Sequence, residues 1–274
     1  MAFDVETRRM IEANRANWDE RTPIHAASEF YGSRAAAEWF APFEWADMGP
    51  LEGREVVHLQ CHLGTETIEF ARRGARASGL DFSPASVVAA RSVAAAAGVA
   101  VDFVESDVYN AVESLGAERF DLVYTGKGSV VYLPDLAAWA AQVRGILKPG
   151  GTFYLVEFHP LLNALGVAPG SAEDLTLRND YLSGRGPVER DATRTYTDGP
   201  ALHEATVAYE WMHGVGEVVS ALAGAGLRVD LVRETPELPF PRWSSMHGTE
   251  SGWFVLPDDQ PRIPLLYAIR AVNP

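Results

Sequence analysis

The chain has 274 residues, 47% of them apolar, and a formal net charge of -14. That length and composition can bury a sizeable core as one large α/β domain or two small ones. The acidic balance excludes broad contact with a phosphate backbone, which draws its affinity from Lys and Arg, so nucleic acid is not expected as a partner.

The first fifty residues read as helical, and five of their aromatics, Trp18, Trp39, Phe40, Phe43 and Trp45, suggest one cluster. Their charged start, "MAFDVETRRMIEANRANWDE", fits neither a signal peptide nor a membrane span. A cytoplasmic protein is expected, and the single cysteine, Cys61, suits a reducing compartment and leaves no multi-cysteine metal site. From residue 54 the pattern alternates. Strand-like "REVVHLQC", "ARASGLD", "VDFVES", "FDLVYT" and "GTFYLVEF" are separated by helical "ETIEFARRG", "SPASVVAARSVAAAAG" and "LPDLAAWAAQVRGIL". This is the rhythm of a parallel sheet with right-handed crossovers. Ser83 can cap the helix that Pro84 opens, Gly98 can close it, and Lys148-Pro149-Gly150-Gly151 predicts the turn into the fifth strand.

After "EFHP" the pattern is lost through a segment rich in Gly, Pro and polar residues, which predicts an insertion at about 161–210. Strand-like "ATVAYEWMH", helical "GEVVSALAGAG" and then "LRVDLVRE" and "LLYAIRAV" restore it, so two more strands are expected in the sheet. The predicted organisation is an N-terminal helical lid at 1–50 and a doubly wound α/β domain at 51–274 with an inserted substrate cap.

In an open parallel sheet, ligands bind beyond the carboxyl ends of the strands. The residues there are Gln60 to Gly64, then Asp81, Phe82 and Ser83, then Ser106, Asp107 and Val108, then Gly126 and Lys127. An acid at Asp81 can accept both hydroxyls of a ribose, and Asp107 can accept from an exocyclic adenine amine. Each acid could instead simply cap the helix that follows it. If the strand stays extended, His58, Gln60 and His62 point to one side, and the two histidines lie roughly 13 Å apart. They are then poor joint ligands for a metal, and no metal is expected. Gln60 and His62 read as polar groups able to bond a cofactor or a neighbouring loop, His58 as a packed histidine. Gly64 would let the following helix approach the ligand.

These motifs resemble the class I methyltransferases that use S-adenosylmethionine. The resemblance covers roughly residues 54 to 160 and the last two strands, with "GLDFS", "ESDVY" and "LKPGG" standing as the family's later motifs. The first loop departs from it. His58, Gln60 and His62 occupy the positions of the family's acid and first two glycines, and only Gly64 is kept. The chain is also similar to a bacterial branch of small-molecule methyltransferases whose first loop reads like "LQCHLGT", with "FPRW"-like and "HP"-like segments further on. The resemblance implies a Rossmann-like methyltransferase fold with a mostly parallel seven-stranded sheet and S-adenosylmethionine as cofactor. Its cofactor residues would be Gln60, His62, Gly64, Asp81, Phe82, Ser83, Asp107, Val108, Gly126 and Lys127.

Methyl transfer needs a nucleophile held close to the methyl carbon, and a base only where that nucleophile must lose a proton. His159, directly after the fifth strand, and His213 are the candidate catalytic residues. His25, Tyr31, Trp211, Arg242 and Trp243 are candidates for binding a small-molecule substrate, with Arg242 suited to a carboxylate or a flat ring. A core or surface role is the competing reading for each. The expected assembly is a monomer or homodimer away from membranes. Two rival functions share these features: a nicotinamide-dependent oxidoreductase, which wants more glycines than Gly64 supplies, and an S-adenosylmethionine-binding protein without catalysis.

Overall fold

The computed structural model describes residues 3–166 and 175–274. In chain order the strands are β1 (Glu55–Leu59), β2 (Arg76–Asp81), β3 (Asp102–Glu105), β4 (Phe120–Thr125), β5 (Leu147–Phe158), β6 (Val188–Asp191), β7 (Val207–Glu210), β8 (Arg228–Thr235), β9 (His247–Gly248), β10 (Phe254–Val255) and β11 (Leu266–Val272). Seven of them form one sheet in the order β3-β2-β1-β4-β5-β11-β8. β1 to β5 run parallel, and β11 lies antiparallel between β5 and β8. This is the doubly wound, mostly parallel seven-stranded sheet expected from the sequence.

The helices are α1 (Val5–Ala27), α2 (Glu29–Gly32), α3 (Pro42–Met48), α4 (Thr65–Arg72), α5 (Pro84–Ala97), α6 (Ala111–Leu115), α7 (Leu136–Ile146), α8 (Pro160–Leu165) and α9 (Val215–Gly224). Alternation along the strands divides the core into two layers. Val57 and Leu59 of β1 and Phe153 and Leu155 of β5 pack with Trp139 of α7 and Leu222 of α9. Val56, Tyr154 and Val156 point the other way, onto Met48 of α3 and Phe70 of α4. α5 starts as predicted, with Ser83 accepting from the Ser86 N–H and Pro84 in the first turn, and ends at left-handed Gly98.

Two details differ from the sequence reading, and one, the place of "ATVAYEWMH", extends it. β5 begins at Leu147, ahead of the predicted turn, because Phe120 pairs with Leu147 while Leu122 pairs with Thr152; the Lys-Pro-Gly-Gly stretch is an irregularity within the strand. The strand-like "ATVAYEWMH" does not join the sheet. Its β7 pairs antiparallel with β6 in a separate ribbon. The five N-terminal aromatics also divide. The Phe40 and Trp45 rings lie 4.2 Å apart, tilted by 37°, and pack with Phe43 on the sheet side, Trp39 meets Phe30, and Trp18 meets Tyr132 and His62.

One face of α1 serves the ribbon's open edge. Asn14 donates to the Tyr209 carbonyl at 2.9 Å and accepts from its N–H at 2.6 Å. Three residues on, Asn17 donates to the Ala205 carbonyl, and Glu20 accepts from the N–H groups of His203, Glu204 and Ala205. Residues at this spacing share one helix face, so α1 supplies the partners that β7 and the segment before it would otherwise find in another strand. The insertion expected at about 161–210 is thereby tied to the N-terminal helix; its residues 167–174 lie outside the described residues.

Gly79 shows how tight the β2 to β3 layer is. A Cβ there would lie 2.6 Å from the Phe103 ring and 2.8 Å from Cys61 Sγ, and Phe103 is itself buried. Gly79→Ala should therefore cost about 1–3 kcal/mol by overpacking, and Phe103→Leu should recover much of it. Urea unfolding of the two single variants and the double variant measures the coupling; additive losses would show that Phe103 is not the obstacle.

Candidate functional site

Beyond Leu59 the chain leaves the strand, so the extended run imagined for Gln60 and His62 ends there. Gln60 (φ 56°), His62 (φ 48°) and Gly64 (φ 69°) all lie in the left-handed region. Alternate residues thus share a backbone state that glycine adopts most cheaply, and two of the three carry side chains at a cost of about 1–2 kcal/mol each. Specific bonds hold them. Gln60 Nε2 donates to the Ser129 carbonyl at 3.0 Å, the His62 N–H donates to Asp81 Oδ2 at 2.8 Å, and the Cys61 N–H donates to the Leu80 carbonyl.

Asp81 is the centre of this loop. Its second oxygen accepts from the Ser83 N–H at 2.9 Å. Burial pushes the carboxyl up to about 6, with the N–H donors of Ser83 and His62 opposing the rise. Across β3, Asp107 accepts from the Tyr109 N–H, and burial raises its carboxyl too. The loop after β4 is gathered by Glu157, a buried residue of β5 that accepts from the N–H groups of Gly128, Ser129 and Val130. Burial raises the Glu157 carboxyl against those donors.

These strand ends open into one cavity of about 750 Å³. Gln60, His62, Asp81, Phe82, Asp107, Val108, Gly126 and Lys127 line it, as do Tyr31 and Arg242. Gln60 Oε1 is buried there with no hydrogen-bond partner among the described residues. His58 also reaches the wall, but as the packed histidine expected from the sequence: Nδ1 meets Thr67 Oγ1 at 3.1 Å, and the ring packs on Tyr124.

The other candidates lie elsewhere. Gly64 faces inward, where a Cβ would come within 2.6 Å of Phe103 and 3.2 Å of Ala90; it serves the packing of α5 on β3, and the space beside it is not ligand space. Ser83 is buried at the start of α5, donating to Asp19 at 2.6 Å. His159 opens α8 with Nδ1 accepting from the Leu161 N–H and Nε2 on Glu234 at 2.9 Å. It is not in the cavity wall, because the chain turns at Pro160 and carries the ring toward β8. His213 bonds the Leu133 carbonyl at 2.7 Å and, with Trp211, lines a separate shallow hollow. Trp243 is core, packed with Leu162 and Met246.

His25 stands just behind the wall. Nδ1 lies 2.9 Å from His62 Nε2, and Nε2 lies 2.6 Å from Thr195 Oγ1, so one imidazole joins α1, the first loop and the inserted segment. Burial is the main cause that drives the His25 imidazolium down to about 3 and the His62 imidazolium well below its usual range. Both rings are neutral at pH 7. Tyr31 and Tyr196 share a hydroxyl bond of 2.6 Å beside them.

Several cavity residues were not read from the sequence: Trp18 and Arg21 of α1, Tyr132 after β4, Glu157 and Tyr196. Tyr132 could have been found by following the rule of strand ends five residues further. For Trp18 and Arg21, three apart and so on one helix face, the sequence shows the face but not what it meets.

The geometry is that of the Rossmann-like methyltransferase fold, and comparison with known proteins agrees. Residues 56–151 match the family described as a methyltransferase domain. Among solved structures, the S-adenosylmethionine-dependent methyltransferase from Mesorhizobium loti aligns with a TM-score of 0.58 at 22% identity, over 84% of this chain and 96% of that one. The glycopeptide N-methyltransferase MtfA, complexed with S-adenosylmethionine, aligns with a TM-score of 0.52 at 21% identity, over 88% and 94%. A curated relative, the ubiquinone biosynthesis O-methyltransferase of Methylobacterium sp. (strain 4-46), is 29% identical over 161 residues, 57% of this chain and 64% of that protein. The chain spans between about half and 64% of the length of the first such relatives.

The left-handed backbone at Gln60 has a direct test. Gln60→Ala keeps the strain and loses the bond to Ser129, whereas Gln60→Gly loses the bond but relieves the strain. Gln60→Gly should be the more stable by about 1 kcal/mol in chemical unfolding, the reverse of the usual Ala over Gly preference. The ordinary order at this position would show that the loop does not hold this conformation.

Proposed function

We propose that this chain transfers a methyl group from S-adenosylmethionine to a small molecule. The observation that carries the reading is that Asp81 and Asp107, acids at the ends of adjacent strands, face one cavity with the first loop between them and the rim of β4. The match of residues 56–151 to a methyltransferase domain supports it.

The residues present fit the cofactor. Asp81 has lone pairs left for ribose hydroxyls after its two backbone bonds, and Asp107 can accept from the adenine amine. Phe82 and Val108 offer apolar surface to the flat base. Gln60 Oε1, buried and unpartnered, fits the amino group of the amino-acid end. Gly126 lines the wall there and leaves room for the packed His58, since a Cβ would sit 3.1 Å from His58 Nε2. When bound, S-adenosylmethionine supplies a methyl carbon activated by its sulfonium.

α1 and the segment from 175 to 213 act as the cover, fastened to each other by Asn14, Asn17 and Glu20 and to the first loop by His25. Closed in this way the cavity admits a small substrate and excludes water from the reacting atoms. His159 and His213, whose rings face away from the cavity, are not part of this reading. A nicotinamide oxidoreductase is disfavoured, because side chains at Gln60 and His62 crowd the turn where a pyrophosphate needs bare backbone. Among the described residues no helix is long and apolar enough to cross a membrane.

Calorimetry with S-adenosylhomocysteine and NADH tests the reading: the first should bind and the second should not. The pH dependence follows from Asp81. Burial pushes its folded carboxyl up to about 6, above the usual carboxylate range, so in the free protein its ionisation costs stability as pH rises through 6. Ribose hydroxyls favour the ionised form, so affinity for S-adenosylhomocysteine should weaken as pH falls from 7 to 5. His25 and His62 stay neutral throughout that window. Asp81→Asn should weaken binding by about 1–3 kcal/mol and remove most of the slope. A folded Asp81→Asn protein with wild-type affinity would take Asp81 out of the site.

A further inference from the structure

Four cationic side chains line the cavity: Arg21, Arg34, Lys127 and Arg242. Three have partners. Lys127 meets the buried Glu44 carboxylate at 3.3 Å, Arg34 lies over the Trp39 ring and reaches Glu38, and Arg21, although its Nε is unpartnered, lies over Trp18 and hydrogen-bonds Tyr132. Arg242 has neither kind of contact. Its Nε is buried without a hydrogen-bond partner, and among the described residues no ring or carboxylate pairs with its guanidinium. The charged neighbour that acts on it is another cation, Arg190, which is itself bonded to Glu210. Arg242 is half-buried, so its guanidinium has lost part of its water without gaining a counter-ion, and a bound anion relieves that cost.

Its place in the sheet says which ligand it serves. Arg242 shares its part of the wall with Phe240, which meets Phe158 at 5.7 Å and Phe30 at 6.4 Å. Phe158 ends β5, three strands from Asp81 in the order β2-β1-β4-β5. At the usual strand spacing that is about 14 Å. The acids therefore occupy one end of the cavity, and an apolar aromatic wall with one unpaired fork of donors occupies the other. We propose that Arg242 is the specificity residue for the methyl acceptor, and that the acceptor is a flat, largely apolar molecule carrying a carboxylate. The guanidinium takes the carboxylate through two parallel N–H···O bonds, and the rings of Phe30, Phe158 and Phe240 take the apolar body. This rests on the methyl-transfer reading for the word acceptor, but the anion site itself does not.

Calorimetry with benzoate and naphthoate, each against its primary amide, tests the proposal, with and without saturating S-adenosylhomocysteine. The carboxylates should bind at least tenfold more tightly than the amides of the same shape. Arg242→Gln should abolish that preference, Arg242→Lys should keep part of it, and S-adenosylhomocysteine affinity should change less than twofold in either variant. Equal binding of acid and amide, or no binding of any of the four, overturns the proposal. So does a tenfold loss of S-adenosylhomocysteine affinity in Arg242→Gln, which would assign the guanidinium to the cofactor's own carboxylate. Failure of the wild-type protein to bind S-adenosylhomocysteine while it still prefers the acids would instead defeat the methyl-transfer reading and leave the anion site standing.

Discussion

A single buried carboxylate holds the ligand-facing rim in shape. Asp81 accepts the N–H of His62 with one oxygen and the N–H of Ser83 with the other, which joins the loop after β1 to the first turn of α5. That junction is what allows Gln60 and His62 to stay in the left-handed region with side chains attached, since the strain at each is distributed over bonds the loop would otherwise lack. The cost appears at Asp81 itself, whose charge is disfavoured by burial even with two donors. A rim built on a carboxylate that resists ionisation has room for a ligand offering further donors, so the structural role of the residue and the binding role proposed for it are compatible.

Glu157 repeats the device one layer away. It gathers the N–H groups of Gly128, Ser129 and Val130, and through Ser129 it also fixes the carbonyl that Gln60 needs. The two carboxylates are thus coupled through Gln60, and the loops after β1 and β4 form one rigid edge. This explains how the glycine pattern of the first loop can be largely replaced while its backbone course is kept. The conformation is specified by what the N–H groups and side chains bond, in place of the freedom of glycine.

Much of this was legible in the sequence and some was not, for definable reasons. The strands β1 to β5 were readable because each is a short apolar run bounded by turn residues, and Asp81 and Asp107 because the rule of strand ends depends only on where a strand stops. The roles of Gly64, His159 and Trp243 were not. Gly64 has the spacing of a ligand glycine, but its missing Cβ leaves room for Phe103, a residue from two strands away. His159 follows the right strand, yet Pro160 starts α8 at once and turns the ring toward Glu234. The pairing of β7 with β6 rather than with the sheet depends on Asn14, Asn17 and Glu20, nearly two hundred residues away in sequence. No local pattern carries such a contact.

The histidine pair is where α1 and the rim become one object. His25 Nδ1 to His62 Nε2 is a single hydrogen bond between two neutral rings, and each ring's remaining nitrogen is also engaged, His25 with Thr195 and His62 with Ser86. Such a chain has a direction: with no extra proton, each ring donates once and accepts once. Separating His25 from His62 would leave two buried nitrogens unpaired, at a cost of about 1–3 kcal/mol, and the Thr22–Ser86 and Ser83–Asp19 bonds hold α1 to α5 beside it. The same side chain that breaks the glycine pattern at His62 therefore ties α1 to the first loop, which gives a physical reason for a bulky residue at a position where the backbone alone would favour none.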